Sequence, residues 1–165
     1  MTAEDLLRRA VAAHRTGQTQ DARRAYDEIL VADPFNGWAN YFRSVLADEQ
    51  GEPALALACL RRAAQAPEPP VQSLVALGNR ELAEREFEAA LAAFTRAEEL
   101  RPSMAAAAVG KTLALKAAAA LRTKIDELHA TSQTLLKEMW AGSEPHPSNA
   151  DARLIVQALR DLDGV

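Results

Sequence analysis

The sequence predicts an all-α protein: a short α-solenoid of three helical hairpins, followed by a long fourth helix and a C-terminal helix. Alanine supplies roughly a fifth of the 165 residues, and Ala, Leu, Glu and Arg at this level favour helix. Seven Gly and eight Pro are too few for the turns of a many-stranded β fold. A pattern of small and large apolar residues also recurs at a fixed interval along the chain, which is typical of repeat proteins.

Each of the three repeat units has a turn residue, a small residue, a large apolar residue and, in the first and third units, a closing proline. In chain order these are Gly17, Gly51 and Arg85; Ala22, Ala56 and Ala90; Tyr26, Leu60 and Phe94; and Pro34 and Pro102. The turn residue separates two apolar-periodic stretches of about 13 residues, which predicts a hairpin of a helix A and a helix B. One hairpin cannot bury both of its faces, so stacking supplies the core.

This pattern resembles the tetratricopeptide repeat family over about residues 3–104, because its period of about 34 residues is the one typical of that family. The third unit matches best, whereas Arg9 and Arg43 stand where that family usually has leucine. The resemblance implies a right-handed solenoid whose A helices line a concave groove for ligand peptides. It also implies that a carboxylate clamp, which needs Lys, Asn and Arg at fixed groove positions, is disfavoured because those positions are mostly apolar or aromatic here.

Carried over by register, the groove lining combines aliphatic, aromatic and a few polar side chains from all four A-type helices. The predicted partner-binding residues are Leu7, Val11, His14, Trp38, Tyr41, Val45, Val75, Asn79, Leu82, Val109 and Leu113. Such a lining suits an apolar extended segment or an amphipathic helix of a partner protein. The predicted function is a non-enzymatic protein–protein interaction module. The alternatives are a type III secretion translocator chaperone, an accessory domain of a larger sulfotransferase or oxygenase, and an oligomeric scaffold.

After Pro102 the repeat stops, and neither Gly nor Pro interrupts residues 111–140. A fourth helix A is therefore expected to continue to about residue 140. We predict a repeat domain with an extended helix over 1–140, a linker over 141–149, and a capping or docking helix over 150–165.

The long helix carries a heptad seam of apolar residues. Beyond two small residues, Ala114 and Ala118, its contact positions are Leu121, Ile125, Leu128, Leu135 and Met139, at the spacing of coiled coils. Three arrangements cover the seam: the last helix folds back along it, the long helix breaks near residues 129–132, or two chains pair along it. The first favours a monomer, and the third makes a dimer through residues 114–139.

Charge and motif content exclude other classes. Nineteen Lys and Arg against 23 Asp and Glu give a net charge of −4, which argues against nucleic acid as a partner. No metal is expected, since the three histidines lack a second ligand one helical turn away. No cofactor and no membrane span are expected either. The lone Cys59 and the lack of an apolar leader favour a cytoplasmic protein.

Two further patterns receive a structural interpretation. Residues 105–112 end in Gly110-Lys111-Thr112 and match a relaxed phosphate-loop pattern, but the repeat register places Gly110 inside a helix, where it allows a close helix contact rather than nucleotide binding. The glutamates Glu81, Glu84, Glu86 and Glu88 are expected to form a solvated acidic surface.

Overall fold

The computed structural model describes residues 2–140, and the side-chain surroundings of residues 2–137. Within that part the chain consists of seven α-helices and has no strand, so the all-α prediction is confirmed. The helices are α1 (Ala3–Arg15), α2 (Thr19–Ala32), α3 (Gly37–Glu49), α4 (Pro53–Ala64), α5 (Val71–Ala83), α6 (Phe87–Leu100) and α7 (Ala105–Trp140). The predicted linker 141–149 and C-terminal helix 150–165 lie outside the described residues. None of the described helices combines the length and apolar character needed to cross a membrane.

Three hairpins form by pairing α1 with α2, α3 with α4 and α5 with α6. The predicted turn residues all have positive φ: 77° at Gly17, 73° at Gly51 and 66° at Arg85. Glycine adopts this conformation without strain, whereas arginine does so at a cost. The three hairpins of the predicted solenoid are therefore confirmed, including the third, in which arginine replaces the turn glycine.

The core repeats with the sequence. Ala10, Ala22, Ala56 and Ala90 are fully buried, which lets the two helices of each hairpin approach closely. The large apolar residues Tyr26, Leu60 and Phe94 are buried between one hairpin and the next. Stacking of hairpins thus supplies the core, as expected for a repeat protein.

An ion pair joins helix B of each hairpin to the helix A that follows. Asp27 pairs with Arg43 at 3.0 Å, Arg61 with Glu81 at 3.6 Å, and Glu98 with Lys111 at 2.8 Å. The Arg43 side chain, where leucine is usual, is only 10% exposed and donates through Nε to Asp27. Each of these pairs therefore links one hairpin to the next.

The expectation that Glu81 belongs to a solvated acidic surface was wrong. Its side chain is 7% exposed and faces Arg61 of α4, whereas Glu84, Glu86 and Glu88 are exposed. Burial raises the pKa of Glu81 above its ordinary value of 4.5, against the opposing effect of Arg61. The sequence could not show this because the partner lies on another helix, in the preceding hairpin.

Helix α7 begins as a fourth helix A and is unbroken to Trp140. Its first part packs on the third hairpin: Ala107 lies against Leu74 and Ala97, and Ala114 against Phe94. The suggested break near residues 129–132 was wrong, because the helix runs through them. The described chain falls into two units, of which the first ends at Ala119 and the second begins at Ala120, inside α7.

Gly110 supplies a test of the packing on Phe94. A Cβ at residue 110 would overlap the fully buried Phe94 ring. We expect Gly110→Ala to lower the free energy of unfolding by about 1–3 kcal/mol, although alanine favours helix by about 1 kcal/mol. Urea denaturation measures the change. In a Phe94→Leu background, where the ring is absent, the cost of Gly110→Ala should shrink; an undiminished cost would place the clash elsewhere.

Glu81 supplies a test with a definite pH dependence. Because the pKa is raised in the folded state, ionised Glu81 destabilises the fold. This penalty fades as pH falls through the raised pKa and is absent well below the ordinary value of 4.5. Glu81→Gln should therefore stabilise the chain at about pH 7 and have less effect at about pH 4, measured by urea denaturation at both. The exposed Glu88→Gln is the matched control, and an equal gain from Glu81→Gln at both pH values would contradict the assignment.

Candidate functional site

The A helices line one side of the stack. Among the first six helices, α1 packs directly on α3 and α3 on α5, whereas the B helices do not pack extensively on one another. The side on which neighbouring hairpins approach more closely is the concave one. This contact pattern agrees with the expectation that the A helices form the inner surface.

An open cleft of about 690 Å³ lies on this surface between α1 and α3. Its apolar lining comes from Leu7 and Val11 of α1 and from Trp38 and Phe42 of α3. Glu4, Arg8 and Arg15 stand along α1 at its margin. Three of the predicted groove residues, Leu7, Val11 and Trp38, are thus brought together in one cleft of a size typical of binding sites.

A chain of aromatic rings supports the cleft from below. Trp38 is 42% exposed, and its ring stacks on Phe42 with centroids 5.8 Å apart. Phe42 in turn stacks on the fully buried Tyr26, at 6.2 Å and with the planes 11° apart. The exposed indole is therefore held in place by the core and presents an ordered apolar surface.

The imidazole of His14 contacts side chains of two neighbouring helices. Its side chain is 12% exposed, with Nε2 at 2.8 Å from Glu49 Oε2 of α3 and Nδ1 at 3.4 Å from the Tyr26 hydroxyl. Burial, and then the Glu49 carboxylate, raise the pKa of Tyr26 to about 12, so this hydroxyl stays neutral. His14 joins α1, α2 and α3 at the edge of the concave surface, and both ring nitrogens are engaged.

Tyr41 lies between surface and core. It is half-buried, meets Trp38 edge to face at 6.0 Å, and packs against the cluster of Leu60, Leu77 and Ala93. Removing its ring would disturb the second hairpin interface. Trp38 is therefore the better position at which to test binding.

The other predicted groove residues lie outside this cleft. Val45, Val75 and Leu82 are half-buried on α3 and α5, and Val75 and Leu82 pack on the Phe94 cluster. Asn79 is exposed. Val109 and Leu113 of α7 are 58% and 51% exposed. Their role in binding stays a prediction.

The repeat register did not predict Phe42 as a groove residue, although its side chain forms one wall of the cleft. It lies four residues after Trp38, the spacing that places two side chains on one helical face. Helical spacing from Trp38 could therefore have found it. The two arginines at the margin could have been found in the same way, because Arg8 lies three residues before the predicted lining residue Val11 and Arg15 lies four residues after it.

The phosphate-loop match has no cradle for phosphate. Gly110 lies inside α7 with its backbone in the helix, facing Phe94. Lys111 Nζ is 2.8 Å from Glu98 Oε2 and is thereby engaged in the inter-hairpin pair. The described residues also contain no group of three or more His, Cys, Asp or Glu that could hold a metal ion.

Comparisons with solved structures identify the fold. A tetratricopeptide repeat protein from Parabacteroides merdae is 22% identical over 83% of this chain and 52% of that one, with a TM-score of 0.58. The first TPR of Spaghetti, bound to an HSP90 peptide, is 20% identical over 71% of this chain and 93% of that one, with a TM-score of 0.59. The chain has the tetratricopeptide repeat fold. No protein-family model matches the sequence, and a search of curated proteins found no match.

A higher identity is found with part of a larger enzyme. An O-GlcNAc transferase from Thermobaculum terrenum is 31% identical over 68% of this chain, with a TM-score of 0.55. This chain spans only 22% of the transferase chain. The tetratricopeptide fold described above thus resembles a segment of that enzyme and not its whole.

The engagement of Lys111 leads to a testable prediction. Calorimetric titration with ATP and magnesium should give no saturable heat, because the helical backbone has no N–H groups free to bind phosphate. Lys111→Ala removes a partly exposed ion pair and should change the free energy of unfolding by less than about 1 kcal/mol. Saturable ATP binding that disappears in Lys111→Ala would contradict the helical assignment of this motif.

Proposed function

We propose that the chain is a non-enzymatic protein–protein interaction module whose concave surface binds an amphipathic, mainly apolar segment of a partner. The observation that carries the proposal is the α1–α3 cleft with Trp38 at its edge. Such a cleft has the volume for a few large side chains but offers few polar groups to orient a small metabolite. A peptide that inserts apolar side chains fits this chemistry.

Trp38 has the properties of a binding anchor. Tryptophan at a protein interface often contributes about 2 kcal/mol or more. The stacked Phe42 and Tyr26 rings already hold the indole in place, so binding costs little side-chain entropy. Preorganisation of this kind supports affinity from a small contact area.

The margin of the cleft indicates the charge of the partner. Arg8 and Arg15 lie close to the apolar residues of α1, and Arg15 is exposed. The Arg8 guanidinium already forms ion pairs within α1, with Nη2 at 3.3 Å from Glu4 Oε1 and 3.4 Å from Asp5 Oδ1. We propose a partner helix with apolar residues at i, i+3 or i+4, and i+7, and with an acidic residue placed to meet Arg15.

Two structural neighbours support a peptide ligand. One is the Spaghetti TPR with its HSP90 peptide, and another is the Yersinia enterocolitica chaperone SycD in complex with a peptide of the translocator YopD. The SycD chain is 17% identical over 73% of this chain and 92% of that one, with a TM-score of 0.53. Because this chain is similar to SycD in fold, a translocator chaperone is an alternative form of the same proposal.

A second candidate is an accessory domain of a larger enzyme. It rests on the 31% identity to a segment of the Thermobaculum transferase chain. In that case the concave surface would bind a protein substrate or a neighbouring domain. The same cleft would be used, so the two candidates differ in their partner and not in the site.

The proposal is tested by panning a random peptide library on the full chain and measuring enriched peptides by calorimetry. We expect amphipathic, apolar peptides. Trp38→Ala should weaken their binding by at least about tenfold, since loss of an anchor costs about 2 kcal/mol. The far-UV circular dichroism should not change, because the indole is 42% exposed.

Val31→Ala is the matched control. Val31 is a large apolar side chain on α2, 85% exposed and outside the cleft. Its removal should leave peptide affinity unchanged. Enriched peptides without apolar residues, or equal affinity for Trp38→Ala and the parent chain, would overturn the proposed site.

A further inference from the structure

The second half of α7 has an apolar stripe without a partner among the described residues. From residue 119 to 137 every residue is exposed except His129 and Leu136, which are half-buried. Leu121, Ile125, Leu128 and Leu135 are 36%, 44%, 56% and 54% exposed. Most of the stability of helices in proteins comes from packing of an apolar face, so covering this stripe would stabilise the helix.

The stripe is complementary to itself when two copies run in opposite directions. About a two-fold axis between residues 126 and 127, positions whose numbers add to 253 face each other. Ile125 then meets the partner's Leu128, Leu121 meets the partner's Ser132, and Ala118 meets the partner's Leu135. Each pairing occurs twice by symmetry, and each joins an a position to a d position of the heptad, as antiparallel packing requires.

The sizes of the side chains favour this direction. Each outer layer pairs a small residue, Ala118 or Ser132, with a leucine, so every layer of the seam contains at least one large apolar side chain. A parallel, in-register pair would instead place Ala118 on Ala118 and Ser132 on Ser132. Such layers leave gaps, and gaps in a packed interface are destabilising.

The flanking charges do not oppose the antiparallel pair. At the positions beside the seam, Lys124 meets the partner's Thr131, and Arg122 meets the partner's His129. Asp126 and Glu127 lie on the outer side of the helix by heptad register, at b and c positions. No two carboxylates and no two Lys or Arg side chains are brought together across the seam.

We propose that a second copy of this chain covers the stripe, and that residues 118–135 of two chains form an antiparallel helical pair. This surface is separate from the α1–α3 cleft, and its use does not depend on the proposed peptide binding. A dimer carries two clefts, which raises the avidity for a partner with two binding segments.

Light scattering on the full chain tests the proposal first. We expect a concentration-dependent approach to twice the monomer mass of 17.8 kDa. Leu128→Asp places a charge against the partner's Ile125 and should return the mass to that of one chain. Ala130→Asp introduces the same charge on the opposite face of the same helix and should leave the dimer intact. Trp38→Ala should also remain dimeric.

The direction of pairing is tested by spin labels at Asp126→Cys or Lys137→Cys in a Cys59→Ala background. In the antiparallel pair, residue 137 lies opposite the partner's residue 116, so two labels there are separated by about 32 Å along the axis. In the same antiparallel pair, residue 126 lies opposite the partner's residue 127, so two labels at residue 126 are close together along the axis.

Three outcomes would overturn the proposal. The first is a mass of one chain at every concentration, which means that something other than a second copy covers the stripe. The second is a dimer that Leu128→Asp does not dissociate, or that Ala130→Asp dissociates equally. The third is a short distance at both label positions, which shows parallel pairing.

Discussion

The third hairpin and the start of α7 depend on the close contact of the Phe94 ring with two glycines. Phe94 is fully buried, and a Cβ at Gly78 of α5 would come within 2.8 Å of its ring. A Cβ at Gly110 of α7 would come even closer to the ring. Because neither helix has a side chain at these points, α5, α6 and α7 approach around one ring. The packing of the start of α7 on the third hairpin follows from this contact.

The same register positions explain why the cleft forms at the first interface. In the register of the repeat, Phe94 of the third unit corresponds to Tyr26 of the first, and Gly110 corresponds to Phe42. Where the third interface has a ring against glycine, the first has Tyr26 stacked on a second ring, Phe42. The additional ring reaches the concave surface and supports Trp38. The candidate site therefore arises from a departure from the repeat pattern.

The helices and their pairing could be predicted from the sequence because their causes are local. Periodicity predicted the hairpins, the residues Gly17, Gly51 and Arg85 predicted the turns, and the absence of Gly and Pro over 111–140 predicted the long helix. Burial of polar side chains could not be predicted in this way. The mostly buried His14 has Glu49 of α3 beside it, and the buried Glu81 has Arg61 of α4 beside it. Each of these partners belongs to a neighbouring hairpin, and only the stacking of hairpins brings the two side chains together.

The inter-hairpin ion pairs and the apolar contacts have different roles. Arg61–Glu81 and Glu98–Lys111 each have at least one substantially exposed partner, and pairs of this kind contribute about 1 kcal/mol or less. Arg43 is nearly buried, and its Nη1 atom has no hydrogen-bond partner among the described residues, so its burial also carries a desolvation cost. Cohesion of the stack therefore comes mainly from the buried side chains of Tyr26, Leu60 and Phe94, and the ion pairs add little to it.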